Sequence, residues 1–204
     1  MKINQKYILW DFDGVIIDSN LIRTNGFKYI FRKFDSNKVN QIINYHNENG
    51  GLSRYHKIDY FFKVILEKNL NKLDFKNYLN EFSEHVINEI LNNKVLINET
   101  LDYIKINSKV NIIVSASDQT ELRYLCSNLQ IDEFFNAIYG SPTKKETNIK
   151  NILTDLKIDK KNVVYIGDSI NDYRASSINQ IPFLGYNNES FKKTNINIIS
   201  NFSI

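Results

Sequence analysis

Apolar residues along this chain follow two different rhythms. In the second half, short β-branched runs alternate with stretches of helical period. Residues 110–114 form a compact run of this kind. Residues 119–129 follow it, with Leu122, Leu125, Cys126 and Leu129 at helical spacing. Residues 137–139 predict a short strand ended by Gly140-Ser141-Pro142. Residues 145–156 predict a helix with Ile149, Ile152, Leu153 and Leu156 on one face. Residues 162–166 read as a strand, 170–178 as a helix and 181–185 as a last strand. This alternation predicts an α/β fold, a parallel sheet covered by helices on both faces. The polar, Asn-rich residues after Tyr186 read as loop, with room for one short final strand.

Residues 19–93 differ. The apolar run Tyr7–Trp10 predicts one buried strand, but residues 19–34, 55–68 and 75–91 all repeat near 3.6, with no convincing strand between them. Aromatic residues are frequent there, among them Tyr60, Phe61, Phe62, Phe75, Tyr78 and Phe82, and such residues are more often core than ligand contacts. The stretch predicts an all-helical insertion directly after the first strand, read here as a cap over an α/β core. The expected division is a core of residues 1–17 and 94–204 and a cap of residues 18–93. Gly50-Gly51 is the one flexible-looking junction inside the cap.

Bulk properties narrow the function only slightly. At 204 residues and 42% hydrophobic content the chain can bury one core with a smaller insertion. A net charge of +3 and the lack of any Lys/Arg block argue against nucleic acid as a partner. No stretch approaches membrane-spanning length, and Tyr7–Trp10 is too short for a signal-peptide core, so the expected setting is the cytoplasm. The single cysteine, Cys126, has no internal partner and reads as a small apolar helix residue.

The chemistry sits in two acidic motifs, each following an apolar run. Asp11 and Asp13 stand in Trp10-Asp11-Phe12-Asp13-Gly14, and Asp168 and Asp172 in Gly167-Asp168-Ser169-Ile170-Asn171-Asp172. On loops after neighbouring parallel strands these acids would converge at the carboxyl edge of the sheet, where ligands bind in such folds. Acids crowded together repel one another unless a cation lies among them, and all-oxygen ligands suit Mg²⁺. Beside such an ion Asp11 could attack a phosphoryl group, with Asp13 as general acid and base. The plainer alternative is that both acids cap a helix or fill a turn. Ser115, at a strand end, could hold phosphoryl oxygens or cap the next helix, as could Ser117 or Asp118. Lys145 opens a helix and could neutralise phosphate and Asp11 together, with Lys144 its rival. Gly167 is expected to allow a tight turn. Asp168 is the expected metal ligand, and Asp172 an outer or water-mediated one; capping is the alternative for both.

With these residues in place, the chain resembles the haloacid dehalogenase superfamily, phosphatase branch. Asp11-Phe12-Asp13-Gly14-Val15 with Asp18-Ser19 matches the first family motif, Ser115 the second, Lys145 the third and the Gly167-to-Asp172 stretch the fourth. The resemblance spans nearly the whole chain and implies a Rossmann-like three-layer sandwich with a C1-type cap, as in phosphoglycolate phosphatases and β-phosphoglucomutases. It implies Asp11 as nucleophile and Asp13 as acid/base. Mg²⁺ would be held by Asp11, the Asp13 backbone carbonyl and Asp168, and the phosphoryl group by Ser115 and Lys145. Dehalogenases lack an acid at the position of Asp13, so its presence argues for phosphoryl transfer. A phosphonate-cleaving branch uses a cap lysine for a Schiff base; Lys57, Lys63 and Lys68 lie in the cap, and nothing in the sequence marks any as buried.

The cap is expected to select the substrate. In residues 46–55 Arg54 is the candidate for a second anionic group or a sugar hydroxyl, ahead of His46; alternatively, Ser53 and Arg54 simply start an exposed helix. The expected activity is Mg²⁺-dependent hydrolysis of a small phosphorylated metabolite, a sugar phosphate or phosphoglycolate-like ester, through an aspartyl-phosphate. A phosphomutase of the same architecture and a catalytically silent binding domain are the rival readings.

Overall fold

The computed structural model describes residues 3–202. Five parallel strands, β1 (Tyr7–Trp10), β2 (Val110–Asp118), β3 (Ala137–Ser141), β4 (Val163–Gly167) and β5 (Phe183–Gly185), form one sheet in the order β3-β2-β1-β4-β5. Strand β1 is central: Tyr7 to Trp10 pair with Val110 to Ile113 on one side and Val163 to Ile166 on the other. Because both faces are covered, its residues are apolar without alternation. Ile8 and Trp10 enter one core and Leu9 the other.

Helices α5 (Asn98–Ile106) and α6 (Gln119–Asn128) cover the first face through Leu101, Ile104, Leu122 and Leu125. Helices α7 (Lys145–Asp155) and α8 (Ile170–Asn179) cover the second through Ile149, Ile152 and Ala175. The result is the three-layer α/β sandwich expected from the pattern. Cys126 is buried on α6, where burial pushes its thiol up to about 12. Among the described residues after β5, single bridges such as Ile199 N–H to Gly185 C=O (2.8 Å) meet the sheet edge, and Phe191 packs into the second core. Among the described residues, no helix is long and apolar enough to cross a membrane.

Between β1 and α5 the chain forms a helical block: α1 (Asn20–Ile30), α2 (Ser36–Glu48), α3 (Arg54–Tyr60) and α4 (Lys72–Leu91). Helix α2 escapes the periodic pattern because only Ile42 and Ile43 of its 13 residues are buried. The helix expected over residues 55–68 stops earlier, passing from α3 into a π-helical turn at Phe61–Ile65. That wider turn buries both Phe61 and Phe62, and Phe61 stacks on Phe31 with centroids 3.9 Å apart. Each fully buried phenyl ring contributes about 1.5–3 kcal/mol, so the aromatic cluster holds the block together. The chain enters and leaves the block side by side: Asp18 N–H donates to Val95 C=O at 2.7 Å, and Ile97 N–H to Ile16 C=O at 3.0 Å.

Candidate active site

The chain reverses its direction of propagation across the sheet at β1, whose neighbours are β2 and β4. A crevice opens at the carboxyl ends of strands at such a point. Asp11 follows β1 and still belongs to the ladder, its N–H donating to Ile166 C=O at 2.9 Å. Asp168 follows β4. Gly14 lets the two loops meet: its φ is +76°, and a Cβ there would lie 2.0 Å from Asp168 Oδ2. The segment after β5 braces both loops, with Asn187 Nδ2 donating to Gly14 C=O (3.1 Å) and Asn188 Nδ2 to Asp168 C=O (2.5 Å).

Asp11, Asp168 and Asp172 each place one carboxylate oxygen within 4.8 Å of the others. Lys145 Nζ lies 2.8 Å from Asp11 Oδ2 and also donates to Asp172. Burial and the nearby Asp172 charge push Asp11 well above the ordinary carboxylate range, against the pull of Lys145. Burial and Asp172 likewise raise Asp168 to about 7. Burial alone would depress Lys145, but Asp11 and Asp172 outweigh it and hold the ammonium above lysine's usual value. Three acids against one lysine leave an excess of negative charge, which a hard divalent cation would relieve, so the donor set fits such an ion.

Within the trio the roles differ. Asp172 accepts from Lys145, from Tyr165 OH at 3.0 Å, and from Ser169 N–H and Oγ at 3.0 and 2.7 Å. Four donors saturate its carboxylate, and it does not reach the cavity wall. It therefore fixes Lys145 and caps α8 in a reciprocal box with Ser169. Asp168 takes no part in that cap; its Oδ2 accepts from Asn20 Nδ2 at 2.8 Å. Gly167 serves a different purpose from the turn expected of it: a Cβ there would lie 2.5 Å from that of Asp172, so space is what it provides.

Strand β2 runs on to Asp118 rather than ending at Val114, and Asp118 caps α6 by accepting from Thr120 and Glu121 N–H, each at 3.0 Å. Ser115 is thereby free of the capping role; it is buried, and its Oγ accepts from Ser117 N–H at 3.1 Å. Of the adjacent lysines, Lys145 points inward and Lys144 is exposed. Asp11, Asp13, Ser115, Lys145 and Asp168 line one cavity of about 630 Å³, together with Arg54 and His46 from the helical block.

Asp13 faces the block. It accepts from Arg23 Nε at 2.9 Å, from Ser117 Oγ at 2.6 Å and from Ser19 Oγ. Burial opposes ionisation, but Arg23 and these hydrogen bonds outweigh it and hold Asp13 below the usual carboxylate range. Arg23 also pairs with Glu121, a buried residue of α6 that receives Arg54 and Ser83 Oγ (2.9 Å) as well. Arg54 is thus buried at the cavity rather than opening an exposed helix, and Ser53 caps α3 beside it. Lys57, which nothing in the sequence distinguished from Lys63 and Lys68, is buried at the cavity wall with its amine 2.9 Å from His46 Nδ1. Sequence reasoning missed Arg23, Lys57, Ser117 and Glu121 as site residues. Charged residues on amphipathic helices look solvated until the helices they face are known.

A family profile for haloacid dehalogenase-like hydrolases matches residues 8–186, and the chain belongs to that family. No curated protein matches it significantly. Similar folds include CbbY of Rhodobacter sphaeroides, solved with phosphate (15% identity, TM-score 0.75, covering 97% of this chain and 94% of that one). A predicted phosphatase of Clostridium acetobutylicum is similar at 18% identity and TM-score 0.73, over 96% and 94% of the two chains. A predicted phosphoglycolate phosphatase of Haemophilus somnus is similar at 17% and 0.72, over 98% and 96%.

Proposed function

We propose that the protein is a Mg²⁺-dependent phosphatase of small phosphorylated metabolites, a sugar phosphate or phosphoglycolate-like ester, with the helical block of residues 18–93 acting as a cap over the core. The observation that carries this reading is Asp11: its Oδ2 sits 2.8 Å from the Lys145 ammonium and shares a 4.8 Å oxygen cluster with Asp168. Asp11, the Asp13 carbonyl and Asp168 would hold the cation. When bound, Mg²⁺ supplies charge neutralisation that lets an anionic carboxylate approach a phosphate.

Asp11 then attacks phosphorus and the ester oxygen leaves, giving an aspartyl-phosphate. Lys145 and Ser115 grip the transferred oxygens, and Lys145 also steadies Asp11 through the approach. Asp13 gives a proton to the leaving alkoxide and later takes one from the water that cleaves the acyl phosphate. Where it stands, beside Arg23, Asp13 is ionised, the form that accepts the proton from water; donating one requires the carboxyl to turn away from Arg23. That a protein of similar fold, CbbY, was solved with phosphate and with xylulose-(1,5)-bisphosphate supports a phosphorylated small molecule as substrate.

A panel of sugar and organic-acid phosphates assayed with and without Mg²⁺ tests the reading. Phosphate release that needs the cation, and that falls at least 10³-fold in Asp11→Asn, is the expected result. Full activity in Asp11→Asn overturns the mechanism, and single-turnover transfer of isotopically labelled phosphate from substrate to a sugar rather than to water identifies a mutase.

A further inference from the structure

One cation at the cavity wall is unused by this mechanism. Lys57 is 2% exposed, yet among the described residues no carboxylate lies within ion-pair distance of its amine. Its hydrogen-bond partner is His46 Nδ1, at 2.9 Å, and the ring of Phe27 lies 5.8 Å away. His46 is neutral, because burial and the neighbouring Lys57 push the imidazole down to about 3, and an imidazole in either protonation state carries no negative charge to balance the amine. Burying an ammonium without a counter-charge is costly.

Two guanidinium groups on the same wall are incompletely satisfied. Arg23 and Arg54 are 7% and 8% exposed, and Arg23 Nη2 and Arg54 Nε have no hydrogen-bond partner. A buried donor left unpaired has lost its water without gaining a partner, which is destabilising. The acids nearby do not make up the deficit. Glu121 is shared between both arginines, Asp13 is taken by Arg23, and Asp118 lies 3.6 Å from Arg54 while holding Tyr55 OH at 2.6 Å. All three cationic side chains line the cavity that contains Asp11.

We propose that Lys57, together with the unpaired N–H groups of Arg23 and Arg54, receives a second anionic group, a carboxylate or a further phosphate, carried on the leaving group of the substrate. The proposal rests on the phosphatase reading for the position of the first phosphate. It narrows the substrate class to phosphomonoesters bearing two separate anionic groups, and it assigns the central contact to Lys57 rather than to Arg54. The depressed amine fits the same picture. Burial, Lys145 and Arg23 bring Lys57 down to about 7 against the attraction of Asp13 and Asp168, and an arriving anion would restore its proton.

Two matched substrate pairs test this: ethyl phosphate against phosphoglycolate, and a sugar monophosphate against its bisphosphate. The wild-type protein should favour the doubly anionic member at least tenfold in kcat/KM. Lys57→Met should erase most of that preference, and Lys57→Arg should retain part of it. Equal efficiencies within each pair, or equal losses on both members in Lys57→Met, overturn the proposal. Covalent trapping of Lys57 by borohydride in the presence of a carbonyl-bearing phosphonate also overturns it, since the amine would then act as a nucleophile.

A binding measurement separates this idea from the catalytic one. Calorimetric titration of phosphoglycolate into Asp11→Asn should give a dissociation constant at least tenfold lower than titration into Asp11→Asn/Lys57→Met. If no substrate is hydrolysed but this difference appears, the receptor stands and the phosphatase reading falls. If hydrolysis occurs without this difference, the receptor falls alone.

Discussion

At Lys57 burial works against charge, and the sign of the consequence follows. Its amine is lowered from 10.5 to about 7 in the folded protein, so between those values the unfolded chain holds a proton that the native state does not. Unfolding then takes up a proton, and the contribution of this residue to stability rises with pH across that window and is flat below it. Lys57→Met removes the penalty. The variant should melt above the wild type at pH 7, with the difference shrinking as pH approaches 10; a difference that stays constant from pH 7 to 10 would contradict the assigned burial. The acids at strand ends were legible in the sequence because two acidic motifs, each directly after an apolar run, occur in one chain, although capping was an open alternative for each alone. Lys57, Arg23 and Glu121 were not, since Lys57 is buried only once α1 and α2 pack beside α3, and Arg23 and Glu121 only once α1 meets α6.

At the scale of elements, one contact between the helical block and the core is made at Gly50-Gly51. Asn171 Nδ2 donates to Gly50 C=O at 2.6 Å, and Gly51 holds φ +79° with its α-carbon so close to Ser169 that a Cβ would lie 2.4 Å from Oγ. Gly51→Ala brings about 1–2 kcal/mol of backbone strain and pushes the loop off the cap of α8. We expect kcat/KM to fall at least tenfold, while the melting temperature drops by only about 2–4 °C per kcal/mol of strain. Steady-state kinetics alongside thermal melts will show whether the two separate in this way. The Gly pair was visible in the sequence as a junction, but its partner on α8, 121 residues from Gly50, was not. Helix α2 was hidden for a related reason: two buried isoleucines among polar residues leave no period to read.

Across the whole molecule, Glu121 is where the block is tied down, receiving Arg23 from α1, Arg54 from α3 and Ser83 from α4. Removing one partner of a buried ion-pair network leaves the others charged and unmatched, at a cost of about 3–5 kcal/mol. Glu121→Ala should lower the urea unfolding free energy by that amount. A change under about 1 kcal/mol would mean that the arginines find water instead. The parallel sheet was legible from the βαβ alternation, whereas its strand order and the seating of block on core appear only in the structure.

The paired crossings at residues 16–18 and 95–97 have a further effect. The outgoing and returning segments are already a hydrogen bond apart, so whatever polypeptide is spliced between them closes a loop without moving β1 or β2. Loop-closure cost grows only slowly with length. An insert of different length can therefore be carried between these crossings while Asp11 and Asp168 below keep their spacing.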